Sequence, residues 1–270
     1  GHLSPTIPFF FWFQYTSNGN YSFNFFGEAT PPVQTTYVWN FGDGTRLQGK
    51  TVTHAYDKQG IYRVLFTAED ELGRTGTDSV FIIISPSRFV KLDEKGNELP
   101  GNALQWVMVR DAATGLVWEM KEDRDYVHNY QNPRDADNTY TWYDENPATN
   151  GGDPGVAGDG TDTQDFIEML NGSRLGGCND WRMPSCEELK TIADGLRFNP
   201  AINTDYFPAT VPWYYWSSTT YEEFNYAACH ISFLGSPPSE TVVIQNHNGY
   251  KSIAYCARGV RGPVFSGQQN

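Results

Sequence analysis

Residues 39–45 read Trp39-Asn40-Phe41-Gly42-Asp43-Gly44-Thr45, and the string continues at short range in Thr53-His54-Ala55-Tyr56 and Gly60-Ile61-Tyr62. Trp39 and Phe41, two positions apart, share one face of a strand, and the glycines after them permit a tight connection that side chains would forbid. Asp43 can accept hydrogen bonds from the turn backbone. Working outward, Asn18-Gly19 predicts a tight hairpin turn, and Tyr21, Phe23 and Phe25 alternate with Ser22 and Asn24. Further strands are expected over 37–41, 61–68 and 80–84. From residue 7 to 84 this spacing reads as an all-β sandwich.

These strings resemble the PKD domain, a small immunoglobulin-like β-sandwich that serves as a spacer in secreted and cell-surface proteins. The resemblance implies an extracellular or cell-surface setting, and His54 with Tyr56 matches the family's H-x-Y element. Asp43 and His54 are then turn and packing residues rather than a catalytic or metal-binding pair.

The 270 residues suffice for two domains with separate cores. Apolar content is carried by 16 Tyr, 17 Phe and 8 Trp, which favours β structure. With 19 Lys+Arg against 32 Asp+Glu, the formal charge of −13 disfavours nucleic acid and anionic membrane surfaces as partners. No apolar run approaches the roughly 20 residues of a membrane span, so no membrane insertion is expected. The absence of a basic, apolar leader fits a mature or trimmed exported fragment.

Ser85-Pro86-Ser87 breaks the strand pattern, placing one domain at 1–87 and a polar linker at 88–104. Strands are expected near 107–111 and 114–118, then helices over 163–175 and 184–196. Thr161 with Gln164 and Ser185 with Glu188 have capping-box spacing. Strands over 213–217, 226–233, 241–244 and 253–261 complete an α+β order.

Three strings in that order are distinctive: Asp180-Trp181-Arg182-Met183-Pro184-Ser185 with Glu188-Leu189, Tyr215-Trp216-Ser217-Ser218-Thr219, and Ala257-Arg258-Gly259-Val260-Arg261-Gly262. They resemble the signatures of the DUF1566 family, which includes the C-terminal domain of the Legionella collagen-like adhesin. The resemblance implies an α+β domain of C-type lectin-like fold over 105–265, followed by a tail at 266–270. Trp181, Trp216, Arg182, Arg258 and Arg261 are expected to be framework residues, since buried Trp and paired Arg specify packing. Gly259 stands where relatives frequently carry Cys.

The four cysteines, Cys178, Cys186, Cys229 and Cys256, lack zinc-ligand spacing and allow three disulfide pairings. Short loop closure favours Cys178 with Cys186, and neighbouring strands favour Cys229 with Cys256. Asp153, Asp159, Asp162 and Asp165 lie among glycines, as hard-oxygen ligands for Ca2+ do, and Ca2+ is the one candidate cofactor. Helix capping by these acids is the competing reading.

Loops at 213–225 and 245–251 correspond to those that lectin-like folds use for ligands. Tyr214, Tyr221, Glu223, Asn225, Asn246, Asn248 and Lys251 are the candidate binding residues, offering ring faces and directional polar groups. The expected partner is a glycan or protein at a cell surface, with self-association as a further property. The expectation is a non-catalytic adhesin, and its alternative is a structural subunit of a surface assembly. A formylglycine-generating type of enzyme would use Cys229 and Cys256, but no nucleophile and base converge elsewhere in the sequence.

Overall fold

The computed structural model describes residues 9–30, 33–150, 154–155, 158–221, 223–235 and 246–267, with only the backbone at 246–248. Two compact units divide after Ile84.

In the first unit, β1 (Phe10–Gly19), β2 (Ser22–Thr30) and β5 (Thr51–Ala55) form a sheet in the order β1-β2-β5. A second sheet joins β3 (Thr35–Asn40), β4 (Arg46–Gln48), β6 (Gly60–Asp70) and β7 (Thr75–Ile84) in the order β4-β3-β6-β7. Every described pairing is antiparallel. Inward positions alternate along β2 and β6, so aromatic rings from both sheets meet in one core. Phe25 of β2 packs on Trp39 at 5.5 Å, Phe13 of β1 on Phe66 at 5.4 Å, and Trp39 on Phe66 at 4.4 Å.

The Trp39 string behaves as its chemistry requires. Trp39 donates to the Gly49 carbonyl at 2.9 Å, Thr45 N–H donates to Asp43 Oδ1 at 3.0 Å, and Asp43 Oδ2 meets His54 Nε2 at 2.7 Å. Gly42 has φ +79°, and a Cβ there would lie 2.8 Å from the Arg63 carbonyl oxygen, so a side chain is excluded both by conformation and by space. The first hairpin turns later than Asn18-Gly19. Gly19 pairs with Ser22, leaving Asn20 and Tyr21 as the two central residues at φ 50° and 57°. That two-residue geometry matches the twist of the flanking strands, while Asn18 and Asn24 exchange side-chain hydrogen bonds at 3.0 and 2.9 Å across them.

The second unit is α+β. One sheet runs β14-β10-β9-β8 and another β11-β12-β13, where β8 is Phe89–Leu92, β9 Met108–Asp111, β10 Val117–Glu119, β11 Tyr214–Thr220, β12 Ala227–Ser232, β13 Asn246–Tyr250 and β14 Val260–Arg261. Between β10 and β11 lie α1 (Thr163–Gly172) and α2 (Cys186–Ile192). Leu92, Met108, Tyr140, Phe166, Leu170 and Trp181 contribute to its core.

Several expectations change here. The stretch 88–104 is no linker: β8 pairs with β9, and Arg88 holds the buried Asp111 carboxylate at 2.8 Å. The cap of α1 is Asp162, which accepts from Asp165 N–H, rather than Thr161. That helix ends at Gly172 instead of residue 175, because Ser173 Oγ turns back to the Leu170 carbonyl and Arg174 adopts φ 51°. Ser185 and Glu188 do form the capping box of α2. The helix stops at Ile192 because extended Ala193 bridges Ile202, and Leu196 is left exposed.

The polar stretch 246–250, expected as loop, is a strand: the fully buried β12 requires a partner on its free edge, and the backbone of 246–250 supplies it. Residues 253–259 are irregular apart from isolated bridges, and the strand expected at 241–244 lies outside the described residues. Cysteine pairing also differs. Cys186 of α2 is bonded to Cys229 of β12, which tethers helix to sheet, while Cys178 and Cys256 are thiols.

Candidate ligand-binding face

The three sequence strings of the second unit interlock. Arg182 grips Glu188 with two parallel bonds, Nη1 to Oε2 at 2.7 Å and Nη2 to Oε1 at 2.8 Å. Ser185 N–H and Phe265 N–H, each at 2.9 Å, complete four donors to this buried carboxylate. Burial works against its charge, but Arg182 and the two backbone donors prevail and hold Glu188 below the usual carboxylate range.

Trp216 Nε1 donates to the Tyr140 carbonyl at 2.8 Å and Trp181 Nε1 to Leu175 at 3.1 Å. Arg258, buried, donates to the Glu119 carbonyl at 2.8 Å and Thr210 Oγ1 at 2.9 Å, and Arg261 pairs with Asp180 at 2.7 Å. Gly259 N–H donates to Glu119 Oε1 at 2.9 Å, and a Cβ on Gly259 would lie 2.4 Å from Leu170. These residues are committed to holding the unit together.

What faces solvent is a strip of rings on the β11–β12 connection and the end of β13. Tyr221 packs on Phe224 at 5.7 Å, Phe224 on Tyr226 at 5.5 Å, and Tyr226 on Tyr250 at 5.5 Å. Successive ring planes are inclined by 34°, 35° and 21°, so the four rings form a continuous row of contacts. Phe224 is 47% exposed, Tyr226 41% and Tyr250 61%, an unusual amount of aromatic surface to leave wet in one place. Beside them Tyr221 Oη donates to Glu223 Oε2 at 3.1 Å, and Asn225 donates to the Ala148 carbonyl at 3.1 Å. Because Tyr226 immediately precedes Ala227, the partner of Tyr250 across the sheet, strand pairing brings rings 24 residues apart in sequence together.

Of the candidate residues, Tyr221, Glu223 and Asn225 belong to this strip. Tyr214 does not: its ring packs among Trp213, His230 and Tyr255 at 4.9 to 5.3 Å. Lys251 is a correction. It is 2% exposed, with Nζ bonded to Asp144 Oδ2 at 3.1 Å and the Thr149 carbonyl at 2.5 Å, over the Trp142 ring at 4.1 Å. A cation so enclosed positions a loop rather than meeting a ligand. The side chains of Asn246 and Asn248, and all of Asp153, lie outside the described residues.

Asp159, Asp162 and Asp165 do gather at the start of α1, with one carboxylate oxygen of each within 4.8 Å of the others. Burial pushes Asp162 up to about 6, opposed by Asp165 N–H and reinforced by the Asp165 charge. The cysteines offer no reactive pair. Cys229 is bonded to Cys186, and Cys256 is a buried thiol that burial pushes up to about 11, although Lys121 and Arg258 lie near enough to lower it. A groove of about 700 Å3 on the same unit includes Lys95, Trp106, Met120, Glu122 and Arg134, the last two paired at 3.3 Å. None of the described helices is long and apolar enough to cross a membrane.

Comparison with known proteins gives the two units their class. Residues 14–84 match the PKD domain and residues 107–261 match the Lcl C-terminal domain. The second match covers more than half of the sequence, and the chain belongs to the Lcl C-terminal domain family. It is 27% identical over 104 residues to collagenase ColA of Bacillus cereus, spanning 38% of this chain but only about a tenth (10%) of that enzyme's length. Among solved structures, the PKD1 domain of Vibrio anguillarum Epp is 23% identical, with 28% of this chain and 93% of that one covered at a TM-score of 0.26. The PKD1 domain from the Vibrio cholerae metalloprotease PrtV is 25% identical, with 28% and 94% covered and the same TM-score of 0.26.

Proposed function

We propose that this chain is a non-catalytic extracellular recognition protein in which the PKD domain is a spacer and the Lcl-type unit binds a carbohydrate chain through Tyr221, Phe224, Tyr226 and Tyr250. The observation that carries this reading is the row of contacting rings, of which Phe224, Tyr226 and Tyr250 are exposed. Sugar rings present apolar faces that stack on aromatic side chains, while their hydroxyls need directional acceptors and donors such as Glu223 and Asn225. The −13 charge favours a neutral glycan over a sulfated one. Support for a non-catalytic role comes from the thiols: Cys229 is engaged in a disulfide, and at neutral pH Cys256 holds its proton rather than presenting the reactive thiolate. A lectin-like ancestry for the second unit is part of the same proposal, supported by its order of strands, two helices, and strands.

The experiment is a glycan array probed with the whole chain and with the triple variant Phe224→Ala, Tyr226→Ala, Tyr250→Ala. Glycan hits lost in the variant, with unchanged thermal unfolding, are the expected result. An array without hits, together with concentration-dependent self-association of the wild type that the variant lacks, would replace this reading with a structural subunit of a surface assembly.

A further inference from the structure

The loop before α1 gathers the carboxylates of Asp159, Asp162 and Asp165. Asp165 accepts the N–H groups of Gly158 at 2.8 Å and Gly160 at 3.0 Å, and Asp159 Oδ1 accepts both Thr161 N–H at 2.9 Å and Thr161 Oγ1 at 2.7 Å. Asp162 spends Oδ1 on the cap, accepting Asp165 N–H at 2.9 Å. Its Oδ2 is different. Asp162 is 0% exposed, and this second oxygen has no hydrogen-bond partner.

An ionised oxygen shut away from water with nothing to accept is among the costlier arrangements a fold can contain. Here the cost is compounded, because the carboxylates of Asp159 and Asp165 crowd the same place. Capping explains one oxygen of Asp162 and explains neither the orphaned one nor the convergence of three acids. A cation among them would answer both.

We propose that Asp159, Asp162 and Asp165 bind one Ca2+ ion, with the unpartnered oxygen of Asp162 as the central ligand. All three donors are hard oxygens and the cluster contains no Cys or His, which separates it from zinc and copper chemistry. Oxygens that already accept an N–H keep a lone pair for a metal. The carboxylates sit on a glycine-punctuated loop, which suits the irregular, six- to eight-oxygen shell of Ca2+ better than the strict octahedron of Mg2+; loop carbonyls and water supply the rest. The site goes beyond the recognition role and stands independently of it.

The test uses the whole chain, stripped with EDTA and titrated with CaCl2 by calorimetry, alongside Asp162→Asn and Asp159→Asn. Asn caps a helix as well as Asp does, so Asp162→Asn keeps α1 while removing the charge. Expected are one saturable Ca2+ site, a rise in Tm on Ca2+ addition, and loss of both in Asp162→Asn, whose Tm in EDTA is no lower than that of the wild type. Asp159→Asn should weaken binding by at least about tenfold. Folded wild-type chain without saturable uptake, or equal binding in both variants, would overturn the proposal, and tighter binding of Mg2+ than of Ca2+ would overturn the choice of ion.

Discussion

A carboxylate enclosed as fully as Glu188 persists only where donors surround it, and each donor here has an identifiable source in the sequence. Arg182 lies six residues upstream, Ser185 opens the helix, and Phe265 arrives from the C-terminal end of the described residues. Arg182→Ala removes two of the four bonds and leaves the charge in place, so a loss of about 3–5 kcal/mol in denaturant unfolding of the second unit is expected. The pH dependence has a definite sign. The folded-state pKa of Glu188 lies below its unfolded value, so this stability is fully present above about pH 4.3 and is lost as pH falls through the folded pKa. In Arg182→Ala the acid-side loss should be smaller, as unfolding curves between pH 7 and pH 3 would record. Of these contacts, the Ser185–Glu188 capping box was legible in sequence because its geometry is local, whereas the Arg182 and Phe265 bonds to Glu188 were not. Lys251 was not legible: its partners Asp144 and Thr149 lie 107 and 102 residues away, and spacing along the chain carries no record of them.

Among elements, the strands with strong local signals, such as the Trp39 strand with its Gly-Asp-Gly turn, are readable because one short peptide determines them. β13 is the reverse case. Asn246, His247, Asn248 and Gly249 are poor strand formers, and only the unmet hydrogen-bonding edge of β12 makes them a strand. Because Tyr250 joins the aromatic strip through that pairing, part of the candidate face was hidden with it. The cysteines follow the same logic, since the α2 to β12 contact decides which thiols meet. Non-reducing peptide mapping should recover a Cys186–Cys229 peptide. Cys178 should alkylate in the native protein and Cys256 only after unfolding, because Cys178 is half-buried and Cys256 fully so. Reducing the disulfide, whose cysteines are 43 residues apart, should cost the second unit about 3–4 kcal/mol. A Cys178–Cys186 peptide would contradict the fold described for this element.

At the scale of the whole molecule, the two units have separate cores. The first rests on Phe13, Phe25, Trp39 and Phe66, the second on Tyr140, Phe166, Leu170 and Trp181. Differential scanning calorimetry should therefore resolve two transitions. Reduction and Arg182→Ala should shift one of them, and Trp39→Ala should shift the other by the equivalent of about 3–5 kcal/mol. A single transition moved by all three changes would contradict independent cores. The central claim is that the Lcl-type unit recognises its ligand through the aromatic strip. It is tested most directly by the Kd of an array-selected glycan, measured calorimetrically for the wild type and for Phe224→Ala, Tyr226→Ala, Tyr250→Ala. Binding weakened by at least about thirtyfold, the effect of losing a hot spot worth roughly 2 kcal/mol, with Tm unchanged, is the predicted result. A Kd unchanged in the triple variant would contradict it.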